Sequence, residues 1–405
     1  MNTILKIAVF ILVQSFMCVD VSLAAELSAP KEADKSALNS AIQTMCNKSI
    51  VAIGENAHGD GHSLIIKAGL VEALVEKCGF NTVLFESSTY EFIPIARKQR
   101  TAETISQELI ENAVGGVWKF EKEMQPLLQF MTEKVNAGQL EIGGLDYQVG
   151  GLGQPFSNDT LALELTEGLP ADRRVLCRDL FKNWVYNTAL PKQIESEEMA
   201  QSERLNCISQ MENTLKNISE PDQQTKKERI DMFENFVALM KADNASQQVR
   251  LVTRARMMIE NSFTFINRKG KNIKVIIWCH NAHAAKSTEL FADYNGADNL
   301  GTALKNRFGE TFFSLSITAQ KGVYRWSKGI EKPLPSAPKN ALENLAIKGE
   351  NNESYFIGTD TLLELGPRPA AMFYHNYQVA DWNNLFDGIL VLNEEFSPHS
   401  TRPGW

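Results

Sequence analysis

The sequence predicts an α/β fold: a mostly parallel central sheet flanked by helices, with an α-helical domain or cap inserted into it. Three observations carry this. Short β-branched and apolar runs, such as Ser49-Ile50-Val51-Ala52-Ile53, alternate with stretches of helical periodicity, as a parallel sheet requires. These runs are apolar on both faces, the pattern of strands covered by helices above and below. Between about Gly150 and Lys269 the strand signals vanish, and the chain becomes charged and helical.

Taken in order, a polar lead-in helix is expected over 31–46, followed by the first strand and the loop Gly54-Glu55-Asn56-Ala57-His58-Gly59. Leu70, Val71, Leu74, Val75 and Cys78 then recur at helical spacing, and Gly79 stands where that helix should stop. A second strand over 82–85 runs into Glu86-Ser87-Ser88, and helices are expected over 102–113 and 121–136. A third strand over 140–145 ends in Asp146-Tyr147. Helices over 170–187, 195–215, 223–240 and 247–266 make up the insertion, whose Phe233, Phe236, Val237 and Met240 form a core stripe. The sheet resumes over 273–278 and runs into Cys279-His280-Asn281-Ala282-His283, with Trp278 expected in the sheet core. A helix over 300–308 and strands over 311–318, 354–358 and 388–392 complete the sheet. The domain division is therefore 26–150 and 270–405 for the α/β core and 151–269 for the helical insertion. Gly150-Gly151-Leu152-Gly153, at the junction, lacks the Lys-Ser/Thr ending of a phosphate loop and reads as a linker.

A chain of 405 residues, 43% of them hydrophobic, has ample material for a core. Its net charge of -8 and pI near 5.5 leave no basic face for nucleic acid. Residues 1–25 read as a secretory signal peptide: Lys6, an apolar run from Ile7 to Met17, then small residues at Ser22, Ala24 and Ala25. The run is too short for a stable membrane span, so a periplasmic or secreted protein is expected. Export permits disulfides, and Cys177 with Cys207 is the best candidate pair. Cys78 and Cys279 lie in apolar surroundings and read as small core hydrophobes.

The chemistry concentrates at one edge of the sheet. Glu55, His58, Glu86, Asp146, His280 and His283 all fall at the carboxyl ends of four separate strands, where open α/β sheets bind ligands. His62 lies close to the first loop, while His375 and His399 look isolated. Such a cluster supports two chemistries: a histidine acting as general base on water with carboxylates holding its imidazolium, or a divalent metal bound by the same side chains. No Gly-x-Ser-x-Gly elbow is present, which argues against an ordinary serine esterase. Each position also has a structural reading: His58 capping the next helix, Glu55 and Glu86 in ion pairs with Lys67 or Arg97, Asp146 capping the element after its strand.

Gly54-Glu55-Asn56-Ala57-His58-Gly59, Gly79-Phe80, Phe85-Glu86, Gly144-Leu145-Asp146, Arg254-x-Arg256-x-Met258-x-Glu260-Asn261 and Trp278-Cys279-His280-Asn281-Ala282-His283 together resemble the erythromycin esterase family. The order and spacing hold from about Ile50 to Arg325. The resemblance implies a hydrolase in which His58 activates water and Glu55 orients it, with Glu86, His280 and His283 lining the same cleft. It further implies Lys67, Asp146 and Asn281 as substrate-binding positions, no bound cofactor or metal, and an ester or macrolide lactone as the small-molecule partner. Lys67 stands where macrolide-active members carry an arginine, and Arg254-Ala255 replaces their Arg-Asp pair; both departures bear on the substrate. Backbone N–H groups at the start of the helix after Gly59, or a protonated His280 or His283, are expected to stabilise the oxyanion. A metal-dependent hydrolase and a non-catalytic cofactor- or metal-binding protein are the alternatives.

Overall fold

The computed structural model describes residues 30–217, 223–243, 245–270, 273–325, 329–347 and 353–402. The expected signal peptide lies outside the described residues. The strands are β1 (Ile50–Glu55), β2 (Thr82–Ser88), β3 (Glu141–Asp146), β4 (Val275–His280), β5 (Phe312–Tyr324), β6 (Lys332–Pro333), β7 (Tyr355–Gly358), β8 (Arg368–Phe373), β9 (Asn376–Ala380) and β10 (Gly388–Glu395). The main sheet runs β3-β2-β4-β1-β5-β10-β7, with β6 attached to β5. Its core pairs are parallel, and β7 and β6 close it with antiparallel pairings.

The alternation of side chains along each strand separates two apolar layers. Val51, Ile53, Val83, Phe85, Ile276 and Trp278 face α1 (Lys35–Met45), α2 (Gly61–Cys78) and the helices between β2 and β3. Ile50, Ala52, Leu84, Val275, Ile277 and Cys279 face the opposite layer. Every residue of β1 and β4 is buried, which is why those strands read as continuous apolar runs. Trp278 lies in the sheet core as expected.

Between β2 and β3 the helix expected over 102–113 starts later, as α4 (Gln107–Val114), and α3 (Ile93–Arg100) precedes it with no counterpart among the expected helices. The start of α4 is set by Ser106, its hydroxyl accepting from the Leu109 N–H at 3.3 Å. α5 (Gln125–Asn136) follows. From β3 onward come α6 (Leu161–Thr166), α7 (Ala171–Tyr186), α8 (Glu197–Asn217), α9 (Gln223–Asp243) and α10 (Gln247–Lys269). Phe181, Cys207, Met211, Phe233, Phe236 and Met240 give these helices an apolar core of their own. Two features tie them to the sheet. Arg97 holds Glu164 through both guanidinium nitrogens at 2.7 Å and Glu228 at 2.8 Å. α10 lies directly on β3: Asn261 donates to the Leu145 carbonyl at 2.9 Å, and a Cβ at Gly143 would meet the Phe265 ring at 2.8 Å.

Cys177 is bonded to Cys207, the expected pair. Cys78 is not a free core hydrophobe: it is bonded to Cys46. The reason is that α1 and α2 end side by side, with Cys46 capping one and Cys78 closing the other. Cys279 is free and buried. A β8-β9 hairpin, with no counterpart in the expected strands, sits beside the sheet, and its tip reaches the loop after β1. Among the described residues, no helix is long and apolar enough to cross a membrane.

Candidate active site

The strand order reverses direction about β1 and β4: the chain leaves β1 toward β2 and leaves β4 toward β5. The helices that follow, α2 after β1 and the helix Leu300–Phe308 after β4, pack on opposite faces of the sheet, so the two loops part at the carboxyl ends of the strands, where such sheets bind ligands. Register places Glu55 beside His280 across that pair. The approach is close, since a Cβ at Gly54 would lie 2.2 Å from Asn281 Oδ1, and glycine is what lets the two strand ends meet.

His58 hangs from the loop after β1, and its Nδ1 stands 2.8 Å from Glu55 Oε1. The other Glu55 oxygen is held by Lys67 from α2, with neither side chain exposed. Lys67 Nζ also donates to the Cys279 carbonyl at 3.1 Å and lies 4.1 Å from the centre of the Trp278 ring. Burial alone would raise the Glu55 carboxyl, but the Lys67 charge and the His58 hydrogen bond outweigh it and lower its pKa. Burial alone would likewise lower the His58 imidazole; the hydrogen bond and charge of Glu55, aided by Glu86, prevail and raise it above 6.5. The ring rests edge-on against buried Trp118, 5.1 Å between centres.

Glu86 anchors a second group. It falls where β2 gains a residue against β3, between the Phe85–Gly144 and Ser88–Asp146 pairs. Such a bulge re-aims a side chain. Glu86 Oε1 takes Arg254 Nη2 at 2.8 Å and His283 Nε2 at 3.1 Å, and Oε2 accepts from the His280 backbone N–H at 2.8 Å. Burial opposes its charge, yet His283, Arg254 and His58 hold the carboxyl well below the usual range. Arg254 also binds Asp146 Oδ2 through Nε at 2.9 Å and Nη2 at 2.7 Å. One guanidinium on α10 therefore spans the ends of β2 and β3.

His280 is neutral. Its Nε2 lies 2.6 Å from the Asn56 carbonyl and must carry the proton, while its Nδ1 accepts from the Ala282 N–H at 3.0 Å. Burial, with the charge of His58 beside it, pushes its pKa down to about 3. With Nε2 turned to the Asn56 carbonyl and Nδ1 accepting from the Ala282 N–H, His280 presents no N–H to an oxyanion. Nor is the start of α2 placed to stabilise an oxyanion, because its N–H groups are already engaged. The Gly61 N–H donates to Phe396 O, and the His62 and Ser63 N–H groups donate to Glu395.

All six expected residues of the sheet edge thus converge, in two carboxylate-centred groups that meet at His280. The three expected substrate contacts fare differently. Lys67 is closed off behind Glu55, and Asn281 is fully buried, donating to the Ile317 and Met372 carbonyls at 3.2 and 2.8 Å. Asp146 is buried against Arg254, and its Oδ1 also accepts from the Gln148 N–H at 3.2 Å, turning the chain after β3. These side chains shape the site from behind. Of the ion-pair partners considered from sequence, Lys67 does meet Glu55, whereas Arg97 serves the insertion helices. Arg254 was missed as a site residue; its signal was its place in the Arg-x-Arg motif. His375, which looked isolated, contacts Asp60 of the motif loop through its Nε2 at 2.9 Å. His62 is buried against Asp34 and the Glu394 carbonyl, away from this group.

All three site carboxylates already hold cations: Glu55 holds Lys67, and Glu86 and Asp146 share Arg254. Among the described residues, no three His, Cys, Asp or Glu side chains are grouped so as to hold a metal ion.

The fold is shared with known proteins. A protein of Bacillus subtilis (strain 168) described as "Putative hydrolase YbfO" is 23% identical over 378 residues, covering 86% of this chain and 82% of that one. The crystal structure of a Bacillus cereus protein superposes with a TM-score of 0.66 at 17% identity, covering 94% of this chain and 99% of that one. A mutant of the erythromycin esterase EreC in its open conformation gives 0.66 at 14% identity, covering 91% and 95%. At such identities the superpositions establish the fold alone. The family model described as erythromycin esterase matches residues 75–394, a span that takes in Glu86, Asp146, Arg254, His280 and His283 as well as most of the sheet. On that match, the chain belongs to the erythromycin esterase family.

Proposed function

We propose that this protein hydrolyses an ester or macrolide lactone with water activated by His58, without a metal. The observation that carries the reading is the Lys67–Glu55–His58 relay. Glu55 accepts a hydrogen bond from the Nδ1–H, which leaves Nε2 as the basic nitrogen and supports the imidazolium once water has given up its proton. Lys67 keeps Glu55 ionised in a site with no solvent to do so. Arg254, whose Nε and Nη2 bind Asp146 and Glu86 and whose Nη1 is not spent on them, is the group best placed to meet the negative charge that develops on the carbonyl oxygen. Glu86 itself, bonded on both oxygens, acts as the positioning residue for Arg254 and His283.

We propose further that the protein is exported. The amino-terminal pattern of a signal peptide and two disulfides both suit an oxidising compartment.

Mass spectrometry tests the reading. The mature protein is incubated in oxygen-18 water with erythromycin and a panel of simpler esters and lactones, with and without a chelator. A product heavier by one labelled water, unaffected by chelator, supports it. A chelator-sensitive product moves the assignment to a metal-dependent hydrolase, and no product from any compound contradicts the ester or lactone reading.

A further inference from the structure

In the β8-β9 hairpin Phe373 pairs with Asn376, so Tyr374 and His375 form a two-residue turn. Both have positive φ, 53° and 56°. Two successive left-handed residues mark a turn that ordinarily takes Asn-Gly, because a Cβ crowds the backbone there. A Tyr-His turn is strained, and such strain persists where the surroundings over-determine it. Here the motif loop does so. The Tyr374 N–H donates to Asn56 O at 3.1 Å, and the His375 N–H to Asn56 Oδ1 at 2.8 Å. His375 Nε2 contacts Asp60 Oδ1 at 2.9 Å, and the Tyr324 ring lies against the His375 ring, 4.3 Å between centres.

What the turn presents is the Tyr374 ring. It stacks on His280 at 4.4 Å, yet the residue is 53% exposed. His280 stands edge-on to His58 at 5.7 Å, and His58 to Trp118 at 5.1 Å. Four rings therefore run in a row with His58 inside it and Tyr374 at one end. In the segment just before Trp118, Gly116 approaches Leu152 so closely that a Cβ there would lie 2.8 Å from the Leu152 Cβ. Val117, beside Gly116, and Leu152 are both exposed. A single exposed apolar residue is ordinary, but a half-exposed aromatic ring stacked at the end of a row that contains the proposed base is placed to meet a substrate.

We propose that Tyr374 is a specificity-determining substrate contact, its ring covering the apolar part of an ester or lactone while His58 works at the carbonyl. The proposal rests on the hydrolase reading above. The strained turn is the means of placement: relaxed to an ordinary turn, the hairpin would no longer hold the ring over His280.

The test uses Tyr374→Asn, which suits a left-handed turn and so keeps the hairpin, together with Tyr374→Phe. Steady-state kinetics are measured with erythromycin and with 4-nitrophenyl acetate, butyrate and octanoate. For the larger probes Tyr374→Asn should raise KM about five- to tenfold with kcat within about twofold, and Tyr374→Phe should bring KM back near wild type. A fall in kcat at constant KM, or no change with any probe, overturns the proposal. Calorimetric binding of erythromycin and of the octanoate ester to the His58→Asn protein, with and without Tyr374→Asn, separates the two readings. Ring-dependent binding without wild-type turnover sinks the hydrolase reading alone. Turnover that ignores Tyr374→Asn sinks this proposal alone, and neither binding nor turnover with any probe sinks both.

Discussion

Lys67 reaches from α2 to the carboxylate of Glu55, and neither side chain touches solvent. A charge pair so placed is held by its partners, and removing one member strands the other in a medium that solvates it poorly. Lys67→Met should therefore destabilise the protein by about 3 kcal/mol or more, read from urea denaturation. It should also cut turnover, because Glu55 then relieves its burial by taking up a proton and no longer holds the His58 imidazolium. A variant of wild-type stability would show that the pair is not what keeps Glu55 ionised.

The pH dependence follows from His58, whose pKa Glu55 raises above 6.5 against the opposing effect of burial. In the proposed mechanism the unprotonated imidazole is the base, so kcat/KM should climb with pH through that raised value and then level off. Glu55→Gln removes the charge, and the inflection should move back toward or below 6.5 while the plateau falls. Stability runs the other way. The His58–Glu55 contact stabilises the fold fully below pH 6.5 and loses that contribution as pH rises through the folded-state value. Glu86, whose pKa is depressed, contributes above about 4.5 and loses its contribution as pH falls through its folded-state value. A pH–rate profile of the wild type and Glu55→Gln, run with melting curves, checks both signs.

Arg254 joins α10 to the ends of β2 and β3 through Asp146 and Glu86. Lysine offers one point charge where this geometry uses two edges of a planar fork. Arg254→Lys should lower kcat on the order of a hundredfold, the effect expected when a donor to developing charge is misplaced. Arg254→Ala should in addition cost about 2 kcal/mol of stability, since both carboxylates lose their common cation. Equal activity in the lysine variant would show that the fork is not needed.

The disulfides Cys46–Cys78 and Cys177–Cys207 close segments of 32 and 30 residues. Loops of that size restrict the unfolded chain enough to contribute about 3 kcal/mol each, and reductant should lower the melting temperature accordingly. Buried Cys279 should resist alkylation in the native protein and react on unfolding, as counted by mass spectrometry of iodoacetamide-treated samples.

How far the sequence reached depended on whether the signal was local. The strands around Val51 and Ile276 were legible because burial on both faces leaves an unbroken apolar run. The histidines and carboxylates at their ends followed from the topology, since parallel strands bring their carboxyl ends to one edge. The start of α4 at Gln107 rather than 102 was not legible, because Ser106 resembles any other helical serine until its hydroxyl is seen to cap. Cys46–Cys78 was hidden for the same reason: the bond depends on two helices ending side by side, which no spacing records. Tyr374 and His375 carry no turn signature at all, and their place at the site is set by Asn56, more than three hundred residues earlier. Lys67 and Asn281 lie at positions the motifs mark, yet which way a side chain faces is decided by tertiary packing.

The most direct test of the central claim is the rate of the His58→Asn protein on whichever compound of the panel the wild type turns over. General-base catalysis predicts a fall of about a thousandfold or more in kcat, with the melting temperature little changed. Activity within tenfold of wild type in the folded variant would contradict the assignment of His58 as the base and the reading built on it.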